Sequence, residues 1–242
     1  MVGKAMHKQF VTAVIYDKPK KIGSLQEINT CHTVFVCVPT PSFPDGSCDT
    51  TIVEEIISQL TVCVIILRST VKIGFTDEMM KKYSKEIVFQ PEYYGETVAH
   101  PMADLDDRSW LSFGGSPRGI DLAIKTYQTV VNSNTKIFQA DAKTVEMAKY
   151  MENAYLATKV IFCNEMHDIA KALGVNYNTV REIWLADPRI GSSHTFVYEE
   201  AKGYGGKCLP KDVDSLISQA KEHNVDTTFI ESIVKKNKKY RS

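Results

Sequence analysis

The sequence predicts an α/β protein: a Rossmann-type parallel-sheet domain over residues 1–140, then a long spine helix and a small all-helical domain over 141–242. Two observations carry this prediction. Through the first part of the chain, apolar runs of strand length alternate with amphipathic runs of helical length, the order that builds a parallel sheet covered by helices. From Ala142 to about Leu173 the pattern is helical without a Gly or Pro, enough at 1.5 Å per residue to span about 45 Å, and Gly174 is a natural stop.

Each element has its own signal. Residues 1–10 read as a helix, followed by a short strand Ala13-Val14-Ile15-Tyr16 that ends in Asp17. His32-Thr33-Val34-Phe35-Val36-Cys37-Val38 and Val62-Cys63-Val64-Ile65-Ile66-Leu67 are continuous apolar strands of the kind buried on both faces of a sheet. Between them Ile52, Val53, Ile56, Ile57 and Leu60 mark a helix face after the turn Pro44-Asp45-Gly46. A helix around Asp77 to Met80, a strand at 87–89, a run at 110–115, a helix at 120–131 and a strand at 136–138 complete the first domain. Helices around 178–185 and 213–223 join the spine in the second.

Composition narrows the function classes. Lys plus Arg balance Asp plus Glu at 29 each, so there is no electrostatic footprint for nucleic acid or an anionic membrane, and the basic cluster at 235–241 reads as a solvated helix end. The six cysteines have no C-x-x-C spacing, which points to no metal site and no redox pair. Cys31, Cys37, Cys63 and Cys163 lie in or beside apolar runs and read as reduced core thiols, which suits a cytoplasmic protein. No apolar run reaches membrane-spanning length and no charged-then-apolar leader opens the chain.

The chemistry concentrates in Gly203-Tyr204-Gly205-Gly206-Lys207-Cys208-Leu209-Pro210-Lys211-Asp212. Glycines around a tyrosine free the backbone and deliver a thiol ahead of a lysine and an aspartate, a plausible reactive-cysteine site. Residue by residue the stretch also reads as a turn before a helix, with Asp212 as N-cap and Cys208 merely small. On the spine, Lys149 and Asn153 share a face at i,i+4; they either aim an ammonium and an amide at an oxyanion or face solvent. Glu92 and Glu96 follow a strand exit, where paired carboxylates are costly to bury without work.

The decamer resembles the G-[FY]-G-G-x-C-x-x-K-D signature of the UDP-glucose/GDP-mannose dehydrogenase family. Lys149-Tyr150-Met151-Glu152-Asn153-Ala154-Tyr155-Leu156-Ala157 resembles its K-x-x-x-N-x-Y-L-A helix, and Asp187-Pro188-Arg189-Ile190-Gly191 its D-x-R-I-G. Pro39-Thr40-Pro41 and Ser69-Thr70-Val71 are similar to its cofactor-side loops, and Pro91-Glu92 with Glu96 to its P-E-x-x-x-E. Val2-Gly3 matches the end of the G-x-G-x-x-G fingerprint and Asp17 its ribose acid. The first strand and first two glycines of that pattern are absent. The favoured expectation is a start internal to the true reading frame, since a parallel sheet without its central strand leaves ladder groups uncovered.

The resemblance implies NAD as cofactor, a nucleotide-sugar substrate and a homodimer formed through the long helix. It implies oxidation of the C6 alcohol of UDP-glucose to the carboxylate in two hydride transfers. Cys208 would carry a thiohemiacetal and then a thioester; Lys149 and Asn153 would stabilise oxyanions; Glu96 and a water on Thr70 would hydrolyse the thioester; Asp212 would assist proton movement and orient Lys149. It assigns Val2, Gly3, Asp17, Thr40, Thr70, Glu96 and Lys211 to the cofactor, and Glu92, Glu96, Lys149, Asn153 and Gly205 to the substrate. GDP-mannose and UDP-N-acetylmannosamine are alternatives within the same chemistry. A noncatalytic relative is the alternative outside it, because family members continue into a further nucleotide-gripping domain.

Overall fold

The computed structural model describes residues 2–93 and 109–242. By contact density the chain divides into two compact units, residues 1–43 with 48–149 and residues 44–47 with 150–242.

In the first unit, β1 (Thr33–Val36), β2 (Val64–Leu67), β3 (Ile87–Phe89), β4 (Trp110–Gly115) and β5 (Lys136–Ala140) form one sheet in that spatial order. β1, β2 and β3 are mutually parallel, with Thr33 opposite Val64 and Ile65 opposite Ile87. β4 runs antiparallel to β3 and parallel to β5. The sheet is therefore mixed, not wholly parallel as the strand-helix alternation suggests; an apolar run buried on both faces looks the same in either direction.

Alternation along the strands explains the layers. Ile65, Leu67, Ile87 and Phe89 face one side, where α3 (Thr51–Gln59), α4 (Phe75–Tyr83) and the start of α6 (Ala142–Ala172) bring Val53, Ile57, Phe75, Met79 and Val145. Val64, Ile66, Val88, Leu111 and Phe113 face the other, covered by Met6 of α1 (Val2–Gln9) and by Ile120, Ala123 and Tyr127 of α5 (Pro117–Tyr127). Helices on both faces are the signature of a doubly wound sheet. A short α2 (Leu25–Ile28) was not expected, and α5 ends at Tyr127 instead of reaching residue 131. The strand expected at 13–16 does not form: Val14 and Ile15 are exposed, and Asp17 makes only an isolated bridge to Ile22.

The unit boundary falls within α6, between Lys149 and Tyr150. In the second unit α6 continues to Ala172 and is followed by Gly174 at a φ of 69°, by α7 (Tyr177–Leu185), α8 (Leu209–Glu222) and α9 (Thr228–Arg241). Ala154, Ala157 and Ile161 of α6 pack with Tyr204 and with Val213 and Ile217 of α8, and α9 adds Ile230, Ile233 and Val234. Lys235, Lys238, Lys239 and Arg241 at the basic end of α9 are exposed, as a solvated helix end is, but the segment is also tied back to its unit. Asn237 is buried, Tyr240 donates to Asp168 at 2.9 Å and Lys236 pairs with Glu165 on α6. Among the described residues no helix is long and apolar enough to cross a membrane, and no cluster of His, Cys, Asp or Glu has metal-ligating geometry.

Candidate active site

In the first unit, two of the expected cofactor-side residues, Thr40 and Thr70, lie at the carboxyl ends of β1 and β2. Thr40 lies buried after β1 and Thr70 half-buried after β2, where the Ser69 hydroxyl donates to the Val38 carbonyl at 2.7 Å and joins the two loops. Cys48 donates to the Thr70 carbonyl at 3.6 Å. After β3, Glu92 pairs with Arg68, whose side chain leaves the end of β2 fully buried. Arg68 also donates to the Tyr127 hydroxyl at 3.0 Å, and Tyr127 donates to Gln90 at 2.7 Å. Arg68 is not legible from sequence as the partner of Glu92, nor Tyr127 as that of Arg68, because only the fold makes them neighbours.

Val2 and Gly3 sit in the first turn of α1, where a Cβ on Gly3 would lie 3.7 Å from Cys37 at the end of β1. Burial pushes the Cys37 thiol up to about 11, so it stays a thiol. Asp17 accepts from the backbone of Lys20 at 3.1 Å and pairs with its ammonium, which holds the carboxyl below its usual range. Glu96 lies outside the described residues. Lys149 is buried with its ammonium 4.4 Å from the ring centre of Tyr93, a cation–π contact. One turn earlier, Glu146 accepts from the amides of Gly74 and Thr76 at 2.5 and 3.0 Å and from the Thr76 hydroxyl at 2.6 Å. It thereby caps α4, whose N-cap Gly74 has a φ of 90° and no side chain of its own to do so. Burial pushes Glu146 up to about 7 against the lowering effect of these donors.

The Thr40 and Thr70 hydroxyls, after adjacent parallel strands, fit the position at which such sheets bind a dinucleotide.

In the second unit, Cys208 occupies the N-cap position of α8, not Asp212, with Leu209 and Pro210 opening the helix. The thiol is exposed and in no disulfide, at the start of α8. Asp212, in the first helical turn, is buried at 2% exposure. It accepts from Asn153 at 2.5 Å and from Lys211 at 2.5 Å. Cysteine, aspartate, asparagine and lysine thus converge from α8 and α6. Gly205 precedes them in the loop, half-buried against Arg241. Asp187 and Arg189 pair with each other on the surface, and Lys159 donates to the Gly191 carbonyl. Of the four thiols read as core, Cys163 is buried but Cys63 is exposed, because it precedes β2 at the open amino end of the strand.

A doubly wound sheet with helices on both faces, followed by a helical unit, is an architecture of the Rossmann type. Comparison with known proteins specifies it. Residues 11–108 match the NAD binding domain of the UDP-glucose/GDP-mannose dehydrogenase family, and residues 143–239 match its central domain. A UDP-glucose 6-dehydrogenase of Rickettsia bellii is 27% identical over 244 residues, covering 96% of this chain and 55% of its own. One from Rhizobium meliloti is 31% identical over 218 residues, covering 84% and 49%. The solved structure of a UDP-glucose dehydrogenase from Pyrobaculum islandicum superposes with a TM-score of 0.77 at 21% identity, covering 98% of this chain and 61% of its own. The chain belongs to the UDP-glucose/GDP-mannose dehydrogenase family. It spans about half the length of the curated relatives it matches.

Proposed function

We propose that this chain carries the NAD-binding and thiol-bearing parts of a nucleotide-sugar 6-dehydrogenase that converts UDP-glucose to UDP-glucuronate. The observation that supports it best is the buried Asp212 carboxylate, one helical turn from Cys208 and bonded to both Asn153 and Lys211. A buried carboxylate with two donors beside an exposed thiol has work to do in proton movement.

NAD, when bound, supplies the hydride acceptor for both oxidations. Thr40, Thr70, Asp17, Val2-Gly3 and Lys211 would hold it, and Glu92 and Gly205 would bind the sugar. The C6 alcohol loses its proton toward water or Asp212 and a hydride from carbon, leaving an aldehyde. Cys208 adds to that carbonyl, forming a C–S bond while the oxygen takes a proton; Lys149 and Asn153 stabilise the oxyanion. Loss of a second hydride from the same carbon, with the hydroxyl proton, gives a thioester. Water held by Thr70 and activated by Glu96 cleaves the C–S bond, releasing the carboxylate and the Cys208 thiol. Covalent attachment keeps the aldehyde from escaping between steps.

UDP-glucose is favoured over GDP-mannose and UDP-N-acetylmannosamine because the relatives reported above bear that name. A homodimer through α6 is supported by Met151, Tyr155, Phe162, Ile169 and Leu173, an exposed apolar stripe spaced by fours and sevens. A cytoplasmic setting suits cysteines that form no disulfide. The deciding assay follows NADH and UDP-glucuronate from UDP-glucose with the parent chain and with Cys208→Ser. Product from the parent and a loss of about a thousandfold or more in the variant are expected. Equal turnover by the two would sink the covalent mechanism.

A further inference from the structure

The loop that delivers Cys208 is held by two buried asparagines from two helices. Asn164 of α6, 2% exposed, donates to the Val160 carbonyl at 2.7 Å and accepts from the Gly203 amide at 3.2 Å. Asn237 of α9, 9% exposed, makes a two-point contact: its Oδ1 accepts from the Tyr204 amide at 2.8 Å and its Nδ2 donates to the Tyr204 carbonyl at 3.0 Å. A carboxamide presents one donor and one acceptor side by side, so it pairs with a peptide group as another strand would. No other side chain of its size except that of Asn does this; Asp has no donor and would set a carboxylate against a carbonyl.

The fit is tight around it. Gly203 has a φ of 79°, and a Cβ there would fall 2.5 Å from Asn237 Oδ1. Gly205 has its own Cβ position 3.1 Å from the guanidinium of Arg241, one turn beyond Asn237. The Tyr204 ring is buried with Ala157, Ile161 and Val213. Backbone and side chain of Tyr204 are thus both fixed, four residues before Cys208.

We propose that Asn237 is a positioning residue for Cys208: its carboxamide fixes the Tyr204 peptide and thereby the direction in which the thiol leaves the loop. This rests on the reading of Cys208 as the reacting thiol.

The test uses the full chain and iodoacetamide, with labelled sites identified by peptide mapping and exposed Cys63 as internal reference. In the parent, Cys208 is expected to label at least tenfold faster than Cys63. Asn237→Asp is expected to lower the Cys208-to-Cys63 ratio at least tenfold at neutral pH, to move the pH profile of Cys208 labelling and not that of Cys63, and to reduce kcat more than KM for the nucleotide sugar. Should Asn237→Asp fail to fold, Asn237→Ala introduces no charge and carries the same expectation at threefold or more. A selectively labelled parent whose ratio stays within twofold in the folded variants overturns the positioning role alone. A parent in which Cys208 labels no faster than Cys63 overturns the reactive-thiol reading, and the positioning role with it.

Discussion

The side-chain amide of Asn153 donates to the carboxylate of Asp212 at 2.5 Å, with both residues buried, across 59 residues of sequence. That bond joins the middle of α6 to the first turn of α8. It turns two motifs that are far apart in the chain into one polar centre beside Cys208.

Removing the charge from this centre while keeping its shape tests how much depends on it. Asp212→Asn is expected to cost about 1–3 kcal/mol of stability, since Asn153 and Lys211 lose a charged acceptor inside the protein. Turnover of the nucleotide sugar is expected to fall by more than the folded fraction does. Urea unfolding and kcat on the same preparation check this; proportionate losses would leave Asp212 a structural residue only.

Glu146 makes stability depend on pH in a direction opposite to that of an ordinary ion-paired carboxylate. Its folded value is pushed up to about 7, above the ordinary 4.5, so between these the folded state holds a proton that the unfolded chain has released. The contribution of this group is therefore fully present below about pH 4.5 and is lost as pH rises through 7, by on the order of 2–3 kcal/mol. Asp77 adds to the upward push, and the donors from Gly74 and Thr76 oppose it. Urea unfolding of Glu146→Gln at pH 5 and pH 7 is expected to give a smaller difference between the two than in the parent. An unaltered difference would assign the slope to other groups.

The buried Arg68–Glu92 pair predicts strong coupling. Arg68→Met leaves the Glu92 carboxylate and the Tyr127 hydroxyl without the guanidinium that faces them, and a loss of about 3–5 kcal/mol is expected. Adding Glu92→Gln should restore part of it, because the stranded charge is gone. A double-mutant cycle with a coupling energy near zero would contradict the pairing.

If the α6 stripe forms the dimer, Tyr155→Asp with Phe162→Asp is expected to give a monomer by light scattering at concentrations where the parent is dimeric. A monomeric parent would end that part of the proposal.

Much of this protein was legible without coordinates because its signals are local. Continuous apolar runs marked β1, β2 and β3, the absence of Gly and Pro marked α6, and the cysteine decamer with Lys149 and Asn153 identified the family. Those features depend on backbone preferences and on chemistry that tolerates little variation in residue type. Other features are long-range and have no local signal. The reversal of β4 leaves the same apolar pattern as a parallel strand would, and residues 13–16 have strand composition but no partner to pair with among the described residues.

The sequence by itself determined the class of fold, the reacting thiol expected at Cys208 and its nearest chemical companions, because each is written in contiguous residues of distinctive type. Only the tertiary structure decided what holds them. Glu146 caps a helix 70 residues away, Arg68 meets Glu92 and Tyr127 across the sheet, and Asn237, embedded in a run of lysines that reads as a solvated end, clamps the cysteine loop. In each case a buried polar group must find a partner, and which partner it finds is settled by how the chain folds back, not by its neighbours in sequence.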